Sequence, residues 1–298
     1  MSTHEPQRSS DATLPLHRQH ERSWEHNRFV YPVLSRRSGG ISIGINLNPD
    51  KVCNFDCIYC QVDRVSAAET TFVETGELLA ELEEMLALVT SGELFHTDKF
   101  HDVPPALRRL NDIAFSGDGE PTTFRNFDQI VAACAALKSK FGLEQVKLVL
   151  ITNASMFHRP VVARGLEILD AHQGEIWAKL DAGTEAYYRQ VERTTIPFGR
   201  ILENITAAAQ RRPLVIQALF MRIHGAGPDA AEQEAFCQRL NEVLAAGGRI
   251  KLVQIYTVAR KPAESMVAPL DDSEVDALAA LVRACTGLET AAFYGASV

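Results

Sequence analysis

The chain has 298 residues, 46% of them apolar, enough for one large core or two small ones. Its 38 acids outweigh 30 bases for a formal charge of −8, and the pairs Arg36-Arg37, Arg108-Arg109 and Arg211-Arg212 are scattered, so nucleic acid is not favoured as a partner. No apolar run reaches the ~18–20 residues of a membrane span, no signal-like apolar segment opens the sequence, and the cysteine usage points to a reduced, cytoplasmic setting.

Residues 1–28 are polar and aperiodic, with four acids, four arginines and the histidines His4, His17, His20 and His26, and are expected to form a solvated, disordered tail. The ordered domain, 29–298, is expected to begin near Phe29. Ile41–Leu47 alternates as a strand and runs into a cysteine loop. Helical periodicity follows from Gly76 to Val89. Ile113–Ser116 is a short strand, and Asn126 is placed to cap a helix that ends at Gly142. Val146–Thr152 is nearly continuously apolar, as in a strand covered on both faces. A helix starts at Pro160, favoured in a first turn. Strand Glu175–Asp181 and a helix from 197 to 211 come next. Leu214–Arg222 is the fifth strand. A helix with an Asp229/Glu232 cap then runs to Gly247-Gly248, the sixth strand is Arg249–Val258, and a last helix runs from Ser273 to before Gly287.

Six strands with helical crossovers describe an α/β fold: a partial (β/α)6 TIM-type barrel of parallel strands with outer helices. An incomplete barrel leaves a lateral mouth for a large substrate, and chemistry is expected where its strands end. Of the six cysteines, Cys134, Cys237 and Cys285 fall on apolar helical faces and are expected to be buried free thiols.

The other three are close together, in Lys-Val-Cys-Asn-Phe-Asp-Cys-Ile-Tyr-Cys-Gln at 51–61. Such a loop can aim Cys53, Cys57 and Cys60 at three corners of one iron–sulfur cube. Most [4Fe–4S] carriers use a fourth cysteine, and structural zinc sites close with four ligands. Three without a fourth leave one metal position open. One β/α unit later comes Ser-Gly-Asp-Gly-Glu-Pro-Thr (116–122), whose glycines permit close backbone approach to a ligand, although a plain βα turn has the same composition.

Together these motifs resemble radical S-adenosylmethionine (radical SAM) enzymes over roughly residues 40–260. The resemblance implies a [4Fe–4S] cluster on Cys53, Cys57 and Cys60, with S-adenosylmethionine (SAM) on the remaining iron. An external one-electron reductant, flavodoxin- or ferredoxin-like, would drive cleavage to a 5′-deoxyadenosyl radical that abstracts hydrogen from an unidentified substrate. Tyr59 and Gln61 would lie on the adenine side of SAM. Gly117, Asp118, Gly119 and Glu120 would line its amino group, Asn153 its ribose, and Lys179 and Asp181 its carboxylate and ribose. Gln254, Tyr256, Arg260 and Lys261 would meet substrate; no catalytic side chain is assigned.

Within the family, Lys-Leu-Asp-Ala-Gly-Thr and Gln-Ile-Tyr-Thr-Val-Ala-Arg-Lys-Pro are most similar to an Fe–S oxidoreductase branch related to wyosine-type tRNA-modifying enzymes. The absence of a second cysteine trio and of a basic stripe argues against tRNA. A glycyl-radical-enzyme activase or a tRNA-base-modifying radical SAM enzyme remains an alternative, as do, from other classes, an iron–sulfur electron carrier and a structural zinc protein using His96 or His101.

Overall fold

The computed structural model describes Leu16, residues 24–260, Pro262 and residues 264–295. Most of the expected tail, including His4, His17 and His20, and the expected substrate contact Lys261 lie outside these residues. Within 24–28, the Trp24 ring is buried edge-on to Phe100, so packing reaches a little upstream of Phe29.

Among the described residues the main sheet has eight strands, in the order β1-β2-β3-β4-β5-β6-β8-β10. Its parallel centre is the six expected strands: β2 (Gly40–Ile45), β3 (Leu110–Phe115), β4 (Lys147–Thr152), β5 (Gly174–Lys179), β6 (Leu214–Leu219) and β8 (Ile250–Tyr256). All six residues of β2 and of β6 are buried, because outer helices cover one face and the half-barrel closes over the other.

Two edge strands extend this sheet beyond expectation. β1 (Val30–Ser35) pairs antiparallel with β2, and β10 (Thr290–Phe293) pairs parallel with β8. Pro32 obscures β1 in the sequence, since proline lacks a ladder donor; it is tolerated because β1 lies at the edge. The fifth strand is shorter than expected. It stops at Leu219, and Arg222–Ile223 (β7) instead pairs antiparallel with Val267–Ala268 (β9).

The helices are α1 (Thr75–Ser91), α2 (Phe127–Lys140), α3 (Pro160–Ala171), α4 (Glu185–Glu192), α5 (Phe198–Arg211), α6 (Ala230–Ala245) and α7 (Asp272–Thr286). Among the described residues none is long and apolar enough to cross a membrane. Asn126 does precede α2, but its side chain makes no cap bond. Cys134 and Cys237 are buried as expected, whereas Cys285, near the end of α7, is exposed because it lies off that helix's buried Val275-Leu278-Ala279-Val282 stripe.

Helix α4 was not anticipated, and it has consequences for the site. Thr184 caps it by accepting the Tyr187 N–H at 3.2 Å. Asp229 caps α6 as expected, but the Glu232 carboxylate reaches back to the N–H and hydroxyl of Thr184, at 3.0 and 2.6 Å, and to the Gly183 N–H. A Cβ on Gly183 would lie 2.1 Å from the Phe236 backbone nitrogen, so only glycine lets α6 approach this closely. At the other end of the half-barrel, Glu175 accepts from Trp177 Nε1 at 2.7 Å, from Lys147 at 3.1 Å and from Lys251. This ionic cluster fills the floor beneath the interior.

Candidate active site

The cysteine loop leaves β2 without regular structure, so its shape depends on anchors elsewhere. The N–H groups of Asp56 and Ile58 donate to the carbonyls of Glu192 and Val191 at 3.1 and 2.9 Å, hanging the loop from the end of α4. The Thr194 hydroxyl donates to the Asn54 carbonyl at 2.9 Å. The Asn54 side chain donates to Ser155 and accepts from Asn153, both at 2.8 Å, beyond β4. The loop is thereby clamped over the carboxyl edge of the sheet, where a barrel fold puts its chemistry.

Cys53, Cys57 and Cys60 are half-buried free thiols that line one cavity of about 330 Å³. The Cys57 thiol donates to Glu192 Oε2 at 2.6 Å, and Arg64 Nη2 donates to Cys60 Sγ at 3.5 Å. Burial pushes the Cys53 and Cys57 thiols up, and the Glu192 charge pushes Cys57 further. Among the described residues no three His, Cys, Asp or Glu side chains converge on a single-ion position.

The glycine turn lies against the same cavity, yet its glycines are required first by the protein. A Cβ on Gly117 would sit 2.2 Å from Asn46 Oδ1, and one on Gly119 would sit 2.2 Å from the Val52 carbonyl oxygen. Asn46 and Asp118 exchange two hydrogen bonds: the amide donates to Asp118 Oδ2 at 2.7 Å and accepts the Asp118 N–H at 3.1 Å. Glu120 is buried among four donors, from Thr122 N–H (3.1 Å), Thr122 Oγ1 (2.5 Å), Thr152 Oγ1 (2.6 Å) and Asn153 N–H (2.7 Å). Its carboxylate braces the turn.

Lys179 and Tyr59 form the opposite wall. The Lys179 ammonium lies 4.5 Å above the Tyr59 ring, 3.4 Å from Asp181 Oδ2 and 3.4 Å from the Tyr256 hydroxyl. Burial opposes its charge, but Asp181, Tyr256, Cys57 and Glu192 together outweigh burial and hold the ammonium well above its usual range. Asp181 does not itself line the cavity; it accepts from the Tyr59 hydroxyl and, at 2.7 Å, from the Leu219 N–H. Gln61 donates to the Arg260 carbonyl at 3.2 Å at the rim. Tyr256 and Arg260 line the cavity. Gln254 is set back from it, accepting from the cavity residue Gln217 at 2.8 Å.

Sequence reasoning missed Glu192, Arg64, Trp177, Arg36 and Arg37, all of which line this space. Trp177 was findable: it lies two residues before Lys179 on a strand and shares its face. Glu192 carried no such signal, because it closes a helix that was not foreseen.

The sequence model of the Radical SAM superfamily matches residues 47–226, more than half the chain, and spans the cysteine loop, the glycine turn and Lys179. The chain belongs to the radical SAM superfamily. Curated relatives of this radical SAM protein include a GTPase Obg of Brachyspira hyodysenteriae, 21% identical over 84% of this chain and 32% of that protein. Another is a UPF0026 protein of Helicobacter pylori, 25% identical over 64% of this chain and 55% of its own length. The chain thus spans between about a third and a little over half of these two relatives. Among solved structures, a radical SAM methyltransferase from Sphaerobacter thermophilus superposes with a TM-score of 0.60 at 13% identity, covering 88% of this chain and 68% of that one. At that identity the likeness is one of fold.

Proposed function

We propose that this radical SAM protein holds a [4Fe–4S] cluster on Cys53, Cys57 and Cys60 and cleaves SAM reductively with one electron from a flavodoxin- or ferredoxin-like donor. The products are methionine and a 5′-deoxyadenosyl radical, which takes a hydrogen atom from a carbon of the substrate to give 5′-deoxyadenosine and a substrate radical. The supporting observation is that three thiols and no fourth cysteine face one cavity with the strand-end polar groups. Such a cluster, when bound, supplies the electron to the sulfonium.

The chain's own residues bind and orient. Backbone groups of Gly117, Asp118 and Gly119 receive the SAM amino group, while Glu120 positions that turn without touching the ligand. Lys179, charged and fixed between Tyr59 and Asp181, receives the carboxylate. Asn153 meets the ribose, and Tyr59 and Gln61 the adenine side. Asp181 acts through Tyr59 and Lys179. Arg64, on the Cys60 sulfur, holds that corner of the loop. The apolar wall of Val149, Ile151, Trp177 and Leu219 excludes water from the radical's path.

The test is anaerobic reconstitution with iron and sulfide, then reduction with SAM present. A brown protein with about four irons per chain, whose EPR signal changes on adding SAM and which forms 5′-deoxyadenosine, is the expected result. A colourless protein holding one zinc overturns the reading.

A further inference from the structure

The gap between the two edge strands is crossed by the hairpin that joins β1 to β2. Arg36 Nη1 donates to the Tyr294 carbonyl at 2.9 Å, just past β10. Arg37 turns into the half-barrel. Its guanidinium carbon lies 5.6 Å from the centroid of the Trp177 ring and 5.3 Å from that of Tyr256, two side chains that line the same cavity as the thiols. Cation–π contact with ring faces does not consume the guanidinium N–H donors. Among the described residues no carboxylate or carbonyl accepts from Arg37.

Each neighbouring charged side chain of the wall has an ionic or hydrogen-bond partner within the protein. Lys179 pairs with Asp181, Asp118 with Asn46, Glu192 with Cys57, and Asp112 accepts from Ser42. Arg36 stands half-buried beside Arg37, and burial together with the charge of Arg37 lowers its hold on its proton. Two adjacent guanidinium groups therefore face a partly desolvated space, and among the described residues no acid pairs with the inner one. A cation so placed costs free energy that an apolar side chain bridging Trp177 and Tyr256 would not. The wall beyond it, from Ala114, Val149 and Trp177, is apolar and suited to a short carbon skeleton.

We infer that Arg37 is the recognition residue for the substrate, a small organic acid whose carboxylate is received by the edge of the guanidinium between Trp177 and Tyr256. The planar fork matches a carboxylate through two parallel N–H···O bonds. This rests on the radical SAM reading of the site and names the class of molecule that gives up the hydrogen.

The sequence has two tryptophans, so Trp24→Phe leaves Trp177 as the one indole and a reporter of the cavity. Pyruvate, succinate and benzoate are titrated, each beside its neutral amide and beside inorganic phosphate, with SAM present and no reductant, on protein with and without reconstituted cluster. The expected result is a saturable change in Trp177 emission with at least one carboxylate, at least tenfold weaker binding of its amide, and a Kd at least tenfold higher in Arg37→Gln. Arg200→Gln, at an exposed arginine on α5, leaves that Kd unchanged. No response to any carboxylate, equal binding by Arg37→Gln, or tighter binding of phosphate than of every carboxylate overturns the inference. Protein that binds a carboxylate but does not cleave SAM on reduction overturns the proposed function alone. Protein that cleaves SAM but ignores all three acids overturns this inference alone.

Discussion

The Glu120 carboxylate accepts the Asn153 N–H at 2.7 Å, tying the end of β3 to the end of β4. Burial raises this carboxyl, and the hydrogen bonds from Thr122, Thr152 and Asn153 work against that rise. The acid of the glycine turn is therefore a brace between strands. Glu120→Ala leaves buried donors unpaired and should cost about 3 kcal/mol. Urea unfolding measures the loss, and SAM affinity should fall with it. Full stability in the variant would remove the brace from the account.

The two kinds of cysteine separate cleanly. Cys57→Ala should abolish formation of 5′-deoxyadenosine and lower the iron content. Cys134, buried in α2 and far above its usual pKa through desolvation, should be replaceable by alanine with cleavage largely intact. Product formation followed by chromatography decides both, and continued turnover by Cys57→Ala contradicts the ligand assignment.

Lys179→Ala should weaken SAM binding about tenfold or more, the loss of one charge-assisted contact, while the iron content stays at the wild-type level. Equilibrium dialysis with labelled SAM and an iron assay read the two separately. Unchanged affinity removes Lys179 from the binding site.

Gly119→Ala forces a Cβ against the Val52 carbonyl at 2.2 Å, one residue before Cys53. Backbone cannot yield there without moving the loop, so cluster loading should fall well below wild type. The ultraviolet–visible absorption of reconstituted protein reports it. Gly92→Ala is the control for a glycine with open space around it: its φ of +85° carries backbone strain but no contact with the loop.

The floor of the half-barrel should make stability pH-dependent. Burial opposes ionisation of Glu175, but hydrogen bonds from Lys251, Trp177 and Lys147 prevail and its pKa is lowered from 4.5. A depressed folded pKa means that the unfolded chain binds the proton first as pH falls. The contribution is complete above the unfolded value and is lost as pH drops through the folded one. Glu175→Gln should therefore be less stable than wild type at pH 7 by about 2 kcal/mol, with the gap closing below about pH 4. Thermal melts across that range follow it; a gap independent of pH contradicts the ionic assignment.

The parallel strands and outer helices were legible because burial imposes periods on a sequence: nearly continuous apolar runs such as Val146–Thr152, and helical stripes such as Leu78-Leu82-Met85. The three thiols were legible for a related reason, since they share one short loop and need no folding to be neighbours. Edge strands gave no such signal. Pro32 hid β1, and β10 is four residues with two alanines. The eight-residue α4 was hidden by its polar surface, and with it Glu192, whose carboxyl meets the Cys57 thiol from 135 residues away. What the sequence determined by itself was local pattern and the chemistry of adjacent side chains. Only the tertiary structure decided that Glu120 braces two strands, that Asp181 sits behind Tyr59 and accepts from its hydroxyl, and that Arg37 enters the cavity across the open side of the sheet. Each of those contacts joins residues distant along the chain, and a one-dimensional period carries no information about which distant groups a closing sheet brings together.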